Sequence, residues 1–370
     1  MDGEKVWDFS FEDAVLGLTI SEIPQEKGQP EVWAFTKQGW LLNLSLEGEL
    51  LFKEQITENS SLWCLETYYK QETDECFLVM GGLDGLLRVF SLPSPHTLKP
   101  LWAQQFGGSL SGILIEDVDS DGKPEIIAYS LDKTMRVLDL SEGTLKWGQV
   151  FEQGISDAII WRSPSDATQK EVFACGNDGT IRMFNAQNGS LLWFQRFSDK
   201  VRFINYFYKD QKTVIVCGGD DKVAHFLNKD SQEELKSLQF TDYVWKGKAL
   251  ADRSKMLISS YSFAYFDESK SIEEIEFTSE LQCIENTFEN SWTILGKNIE
   301  CLTPFEGNSK PFIGAGTTTG ELLLIHPDTG KILFGEKTLS CVNVIDFHQK
   351  TQYLFSAHDD GMIYAYHVKD

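Results

Sequence analysis

The sequence lacks paired cysteines. It has seven cysteines, an odd number, and they lie far apart, at Cys64, Cys76, Cys175, Cys217, Cys283, Cys301 and Cys341. No two of them form a CxxC pair, so neither a disulfide framework nor a zinc site is indicated. This use of cysteine is typical of a reducing compartment, and we expect a cytoplasmic protein.

Long apolar runs are also missing. No stretch approaches eighteen uninterrupted apolar residues, which argues against a transmembrane helix. Residues 1–15 carry acidic charge and no apolar segment, so we expect no signal peptide. Direct insertion into a membrane is therefore not expected.

Basic residues are scarce beside acidic ones. Lys and Arg number 33 and Asp and Glu number 56, which gives a formal net charge of −23. This charge repels nucleic acid and anionic lipid at long range, so we expect no nucleic-acid partner. It favours a protein partner with a basic surface. The alternative is that the acidity only keeps a large protein soluble.

Catalytic motifs are absent as well. The sequence contains no GxSxG, GxxxxGK or HExxH motif, and its six histidines form no i, i+2 or i, i+4 ligand pair. We therefore predict that the protein is not an enzyme.

What the sequence does contain is a repeat of about 46 residues. A glycine followed four residues later by a large aromatic recurs at Gly48–Phe52, Gly143–Trp147, Gly189–Trp193 and Gly330–Phe334. Degraded copies end at Trp102 and Leu238, and we place an eroded copy around Ile275. Self-similarity at a period of 40–50 residues predicts a solenoid or a propeller.

Each period contains a tight turn followed by an alternating strand, as in Asp84-Gly85 and Asp178-Gly179. Asp-Gly supplies the positive φ that a hairpin needs, and the alternation is that of a half-buried strand. Two further apolar strands precede each turn, and no helical period competes with them. Four antiparallel strands per period indicate the blade of a β-propeller.

The two chain ends complete one blade. Gly3–Trp7 is another copy of the aromatic motif, which elsewhere begins the fourth strand of a blade, and the chain finishes after a third strand at Met362–Val368. We predict an all-β, closed β-propeller of eight blades, one domain over residues 1–370, with the last blade completed by the N-terminal strand. Residues 243–310 are ambiguous: 243–277 is interpreted as a short degenerate blade and 280–297 as an inserted hairpin. Seven blades are the alternative.

The segment 178–193, DGTIRMFNAQNGSLLW, resembles the repeat of pyrroloquinoline-quinone (PQQ)-type and WD-repeat propellers, as does Asp328–Phe334. The quinoprotein dehydrogenases are exported enzymes with an adjacent cysteine pair, so their cofactor is not expected here. The resemblance instead implies a cytoplasmic scaffold that binds proteins, in some relatives within multi-subunit assemblies. Fold analogy alone does not choose the partner.

Residues 117–125 read DVDSDGKPE. The carboxylates of Asp117, Asp119, Asp121 and Glu125 with the carbonyl of Lys123 form an oxygen-rich set of the kind that Ca²⁺ prefers. The segment resembles the calcium loop of FG-GAP propellers, and the resemblance implies a structural Ca²⁺ in the third blade. The alternative is an Asp-rich turn that caps its own backbone without metal.

The turns before the third strands carry further carboxylates, which we treat as candidate partner-binding residues: Asp84, Asp132, Asp178, Asp220, Asp221, Asp359 and Asp360. Their combined field would attract a basic peptide, although each is also explained by capping its own turn. Trp63, Trp161 and Trp245 are either binding anchors or core residues. The favoured function is a non-catalytic scaffold; the alternative is a small-molecule enzyme or carbohydrate-binding propeller with its site at the channel mouth.

Overall fold

The computed structural model describes residues 2–25, 29–70, 74–94, 97–166, 168–263, 276–307 and 310–369. Within these ranges the chain forms 32 β-strands and no α-helix, so no described helix is long and apolar enough to cross a membrane. The strands form eight four-stranded antiparallel sheets. The fold is an eight-bladed β-propeller, which confirms the prediction of eight blades over seven.

The described chain divides into two compact units. The first unit spans Asp13–Arg196 and holds blades one to four, each built from four strands consecutive in sequence. After β1 (Asp2–Ser10), which belongs to the last blade, the strands are β2 (Val15–Gln25), β3 (Gln29–Thr36), β4 (Trp40–Ser45), β5 (Leu50–Gln55), β6 (Leu62–Lys70), β7 (Glu75–Gly82), β8 (Leu86–Ser94), β9 (Thr97–Gln105), β10 (Leu110–Glu116), β11 (Glu125–Ser130), β12 (Thr134–Asp139), β13 (Leu145–Val150), β14 (Ile155–Arg162), β15 (Lys170–Gly176), β16 (Thr180–Asn185) and β17 (Leu191–Arg196).

The second unit comprises Met1–Glu12 and Phe197–Asp370 and holds blades five to eight. Its strands after β1 are β18 (Val201–Lys209), β19 (Lys212–Gly219), β20 (Val223–Asn228), β21 (Glu234–Gln239), β22 (Tyr243–Ala249), β23 (Lys255–Tyr261), β24 (Glu280–Glu285), β25 (Asn290–Leu295), β26 (Ile299–Glu306), β27 (Pro311–Thr317), β28 (Glu321–Ile325), β29 (Ile332–Lys337), β30 (Val342–His348), β31 (Tyr353–His358) and β32 (Met362–Lys369). That residues 1–370 form a single domain stays a prediction.

The N-terminal strand completes blade eight, as predicted. β1 pairs antiparallel with β32, with Gly3 opposite Val368 and Trp7 opposite Ala365. Just past the strand, the Phe11 N–H donates to the Gly361 carbonyl at 3.0 Å. The first residues of the chain therefore cover what would otherwise be the open edge of β32.

The recurring glycine of one blade packs against the aromatic ring of the preceding blade and so joins the two blades. Gly189 of blade four has φ 71°, and a Cβ placed on it would lie 2.5 Å from the ring of Trp147 in blade three. The Trp147 Nε1–H donates to the Ala186 carbonyl of blade four at 2.8 Å. Only glycine combines this backbone conformation with such a close approach. The same packing recurs at Gly143 on Trp102, Gly330 on Trp292 and Gly3 on Phe334.

Blade six differs from the sequence prediction. Residues 280–297 are not an inserted hairpin, because they contain β24 and β25, the third and fourth strands of this blade. The aromatic of β25 is Trp292, and the glycine position is held by Phe288 at φ 68°. The longer connection between β23 and β24 hid this copy of the motif. The eroded copy placed around Ile275 lies outside the described residues.

Blade five also corrects the alignment of the motif by two residues. Phe226 pairs with Lys236, as Met183 pairs with Trp193 in blade four. Lys236, not Leu238, therefore occupies the aromatic position. No aromatic marks this copy, so the register could not be read from the residue types.

Candidate functional site

The first strand of every blade carries a β-bulge near its start. In β6, for example, the pairing with β7 shifts between Leu62 and Cys64, so Trp63 lies outside the regular register. A bulge re-aims a side chain and is frequent beside binding sites. The bulged residues are Leu16, Trp63, Ser111 and Ser156 in the first unit, and Arg202, Trp245, Glu300 and Asn343 in the second.

Each bulge lies at the turn end of its blade, which we define as the end where the turn joins the second and third strands. In blade four the Ser156 hydroxyl donates to Asn177 Oδ1 of that turn at 3.1 Å. In blade eight the Asn343 amide donates to Asp359 Oδ1 at 2.8 Å. In these two blades the bulged side chain therefore contacts a side chain of the turn.

In blade two both positions are apolar and exposed, and in blade three the turn position is. Trp63 is 51% exposed, Leu83 46% and Leu131 51%. Leu83 and Leu131 are bridged by Ser109, whose hydroxyl donates to the Leu83 carbonyl at 3.1 Å and whose carbonyl accepts from the Leu131 N–H at 2.9 Å. We call Trp63, Leu83 and Leu131 the apolar patch. An exposed cluster of this kind on a rigid scaffold is typical of an interaction surface.

The other two tryptophans considered from the sequence differ from Trp63. Trp161 is only 6% exposed and belongs to the core. Trp245 is partly buried and lies 4.9 Å from the Tyr261 ring, with the Arg202 guanidinium 4.9 Å above it. Of the three, Trp63 is the one available as an anchor in the described structure.

In the second unit the bulged residues Arg202 and Glu300 make polar contacts. Arg202 donates to both carboxylate oxygens of Asp220, at 2.6 and 2.7 Å. Lys246 donates to the Glu300 carbonyl and lies 3.8 Å from its carboxylate. Burial raises the pKa of Glu300. The bulged positions of blades five and seven are therefore charged, whereas that of blade two is apolar.

The seven candidate aspartates all lie at the turns where the sequence placed them, and they bond within the protein. Asp178 Oδ1 accepts from the Thr180 N–H at 2.9 Å, while its Oδ2 accepts from Arg182 at 2.9 Å and from the Glu152 N–H at 3.0 Å. Burial raises the pKa of Asp84, but the hydrogen bond and charge of Arg88 together with backbone hydrogen bonds such as that from the Leu86 N–H outweigh burial, so the pKa is lowered. Arg88 and Arg182 each lie four residues after their aspartate, a spacing that the sequence shows directly. A role toward a partner stays a prediction.

The acidic loop between β10 and β11 brings its carboxylates together. Asp117, Asp119 and Glu125 each place an oxygen within 4.8 Å of the others. The loop turns sharply through Ser120 at φ 62° and Gly122 at φ 83°. Glu125 is fully buried, and its Oε2 accepts from the Val118 N–H at 2.9 Å.

The remaining loop residues predicted as ligands are less enclosed. Asp121 is partly exposed, and its Oδ1 accepts from the Lys123 N–H at 2.8 Å. This hydrogen bond lowers the pKa of Asp121. Lys123 lies at the loop surface. The structure therefore groups three of the predicted ligands and leaves Asp121 and Lys123 beside them.

Two lysines contact this loop from other strands. Lys146 of β13 lies with its Nζ 2.8 Å from Asp119 Oδ2 and 3.0 Å from Glu125 Oε1. Lys170 of β15 donates to the Asp117 carbonyl. Burial raises the pKa of Glu125 despite the nearby ammonium group. Sequence reasoning missed Lys146 because it lies 21 residues beyond Glu125 and only strand pairing places it at the loop.

No protein-family model and no curated protein matches the chain. Solved structures do match along nearly its whole length. Sqt1 of Saccharomyces cerevisiae is 13% identical with a TM-score of 0.78, covering 100% of both chains. BamB of Moraxella catarrhalis is 14% identical with a TM-score of 0.65, covering 99% of this chain and 97% of that one. The WD40 β-propeller domain of Doa1 is 12% identical with a TM-score of 0.57, covering 100% and 97%.

These likenesses show the fold. They support the WD-repeat-like part of the resemblance drawn from the sequence. The PQQ-like and FG-GAP parts stay predictions, and so does the metal.

Proposed function

We propose that this chain is a non-catalytic, cytoplasmic scaffold that binds a protein partner through the turn ends of its blades. The apolar patch carries the proposal. Trp63 and Leu83 lie at the turn end of blade two, and Ser109 joins the Leu83 and Leu131 backbones. All three residues are exposed and held by strands and tight turns, so little conformational entropy is lost when a partner covers them. Tryptophan is also among the residues enriched at the centre of protein interfaces.

The chemistry of the partner follows from the charge of the chain. A net charge of −23 attracts a basic surface and increases its rate of encounter. The occupant that fits is a protein segment with an apolar side chain to cover Trp63 and with lysine or arginine beside it. The turn aspartates, among them Asp84 and Asp132, lie next to Leu83 and Leu131 in sequence. The binding of such a segment within a larger assembly belongs to this proposal.

Affinity purification with variants of the apolar patch tests the scaffold proposal. Wild type, Trp63→Ser, Leu131→Ser and the control Leu191→Ser would be compared for stoichiometric recovery of one protein. Leu191 is 49% exposed at the start of β17, the end of its blade opposite the turn, so the control removes an equally accessible leucine of the same unit. We expect Trp63→Ser and Leu131→Ser to lower recovery about ten-fold or more, with melting temperatures unchanged. Equal recovery by all four proteins would contradict the proposal.

We also propose that the acidic loop binds a structural Ca²⁺. The observation that favours it is the convergence of Asp117, Asp119 and Glu125 oxygens within 4.8 Å, because hard oxygen donors suit Ca²⁺. Asp121 and the Lys123 carbonyl would complete the set. A bound ion would supply only charge neutralisation, and the residues would use it to fix the connection between β10 and β11.

Titration calorimetry tests this second proposal. We expect Ca²⁺ to give a binding heat with the wild-type protein and none with Asp119→Ala. Asp166→Ala is a control, because Asp166 caps an exposed turn outside the loop through its hydrogen bonds with Thr168. The absence of any heat with the wild-type protein would overturn the proposal.

A further inference from the structure

Lys146 occupies a position that is uncharged in every other blade. The fourth strand of each blade has a bulge immediately before its aromatic position, and all eight bulged residues lie in the described part of the chain. In β13 the pairing shifts so that Trp147 faces Val137 and Leu145 faces Leu138, which leaves Lys146 in the bulge. The equivalent residues are Val6, Leu51, Leu101, Leu192, Leu235, Ser291 and Leu333.

The charged exception falls in blade three, which contains the acidic loop. The bulge turns the Lys146 side chain to the loop, where its Nζ lies 2.8 Å from Asp119 Oδ2, 3.0 Å from Glu125 Oε1 and 3.5 Å from Asp121 Oδ2. An ammonium group thus lies among three carboxylates, at the place that a metal ion would take. The charged bulge residue and the acidic loop of blade three therefore contact each other.

The positive charge of Lys146 balances negative charge that is buried in the acidic loop. Glu125 is fully buried, and a buried carboxylate without a counter-charge is costly. Asp117 and Asp119 add negative charge to the same small volume. The Lys146 ammonium neutralises part of this charge without any ion from solution. Its side chain is 28% exposed, so its flexible stem has a path back to solvent.

We infer that Lys146 is the resident cation of the acidic loop, which closes the loop without metal and must withdraw before a divalent cation enters. The first half of this inference stands on the structure alone, and the second half rests on the calcium proposal. On this basis the loop of the wild-type protein is ordered in the absence of metal, and Lys146 sets how weakly it takes up Ca²⁺.

Thermal unfolding and calorimetry on the full chain test the inference. Wild type, Lys146→Met, Lys146→Arg and the control Lys99→Met would each be measured in EDTA and in CaCl₂. Lys99 is an exposed lysine of β9, the fourth strand of blade two. We expect the wild-type melting temperature in EDTA to lie only slightly below that in CaCl₂, because Lys146 already closes the loop and weakens Ca²⁺ binding. Lys146→Met should melt several degrees lower in EDTA, whereas Lys146→Arg and Lys99→Met should melt as the wild type does.

Calcium should then act most strongly where the lysine is missing. We expect Ca²⁺ to raise the melting temperature of Lys146→Met and to bind it roughly ten-fold more tightly than wild type, because a competing positive charge has been removed. An unchanged melting temperature of Lys146→Met in EDTA would overturn the role of the lysine. Ca²⁺ binding that is no tighter in Lys146→Met would overturn the competition.

The inference and the calcium proposal fail in different ways. If Lys146→Met is destabilised in EDTA and no protein responds to Ca²⁺, the lysine closes the loop and the calcium proposal is wrong. If wild type and Lys146→Met bind Ca²⁺ equally well, the loop binds calcium and the competition by Lys146 is wrong.

Discussion

The ring of His358 is fully buried, and its surroundings are built for the neutral form. Burial lowers its pKa to about 4. Ser356 Oγ lies 2.8 Å from Nε2 and Thr338 Oγ1 lies 3.3 Å from Nδ1. As the pH falls, the unfolded chain is protonated at this residue near pH 6.5, whereas the folded protein is protonated only near pH 4. Its contribution to stability is therefore complete above about pH 6.5 and is lost as the pH falls towards about 4.

This pKa predicts an acid-dependent loss of stability. Between pH 7 and pH 5 we expect His358 to account for about 2 kcal/mol of lost unfolding free energy. His358→Gln should lose correspondingly less over the same interval. Urea unfolding midpoints of the two proteins at both pH values measure the difference. The same pH dependence in both would show that the buried histidine is not responsible.

Close contact, more than backbone conformation, sets the cost of replacing the motif glycines. Gly189 of the motif and Gly296, which follows β25 and lies outside the motif, have nearly the same φ, 71° and 74°, but a Cβ on Gly296 meets nothing closer than 3.7 Å. Gly296→Ala should cost about 1 kcal/mol through its conformation alone. Gly189→Ala should cost about 2 kcal/mol more, because its methyl group overlaps the Trp147 ring. Equal unfolding free energies for the two variants would refute this explanation of the motif.

Residue types predict these local features unevenly. The turn aspartates and the motif glycines were visible, because turn chemistry and positive φ leave a direct trace in the sequence. Only one residue of the apolar patch could be identified from the sequence. Trp63 was a candidate, whereas Leu83 and Leu131 looked like ordinary turn residues. The role of Lys146 could not be predicted from the sequence, since it depends on a bulge in β13 and on the loop between β10 and β11.

Among the elements, β1 carries the clearest energetic prediction. Deleting residues 1–10 would remove the strand that covers β32 and the glycine that packs on Phe334. We expect a melting temperature lower by ten degrees or more, roughly, from the loss of a whole edge strand and its packing, together with self-association through the exposed strand. A truncated protein that melts like the full chain and stays monomeric would contradict the role of β1.

The strands themselves were largely predictable, because the alternation of apolar residues and the Asp-Gly turns repeat with the blade. Blade six shows the limit of this approach. Its glycine is replaced by Phe288 and its third strand follows a long connection, so neither the turn nor the spacing identified Trp292. In physical terms the pairing of β23 with β24 is a long-range contact, which a local pattern does not record.

At the scale of the whole molecule, the net charge of −23 predicts how partner binding depends on salt. The association rate of a basic partner should fall about ten-fold or more when NaCl is raised from low to several hundred millimolar. The dissociation rate should change far less, because the apolar patch is not screened by ions. Binding kinetics with the protein recovered in the affinity purification measure both rates. A salt-independent association rate would show that charge has no part in the encounter.

The two bulges in each blade leave a pair of side chains outside the regular pairing of the sheet. A strand residue in register has its size and polarity dictated by both neighbours, whereas the bulged positions hold residues as different as Trp63, Glu300 and Lys146. Blades of one common design can thus differ in chemistry at these positions, with an exposed indole in one and an ammonium group among carboxylates in the next, without any change of architecture.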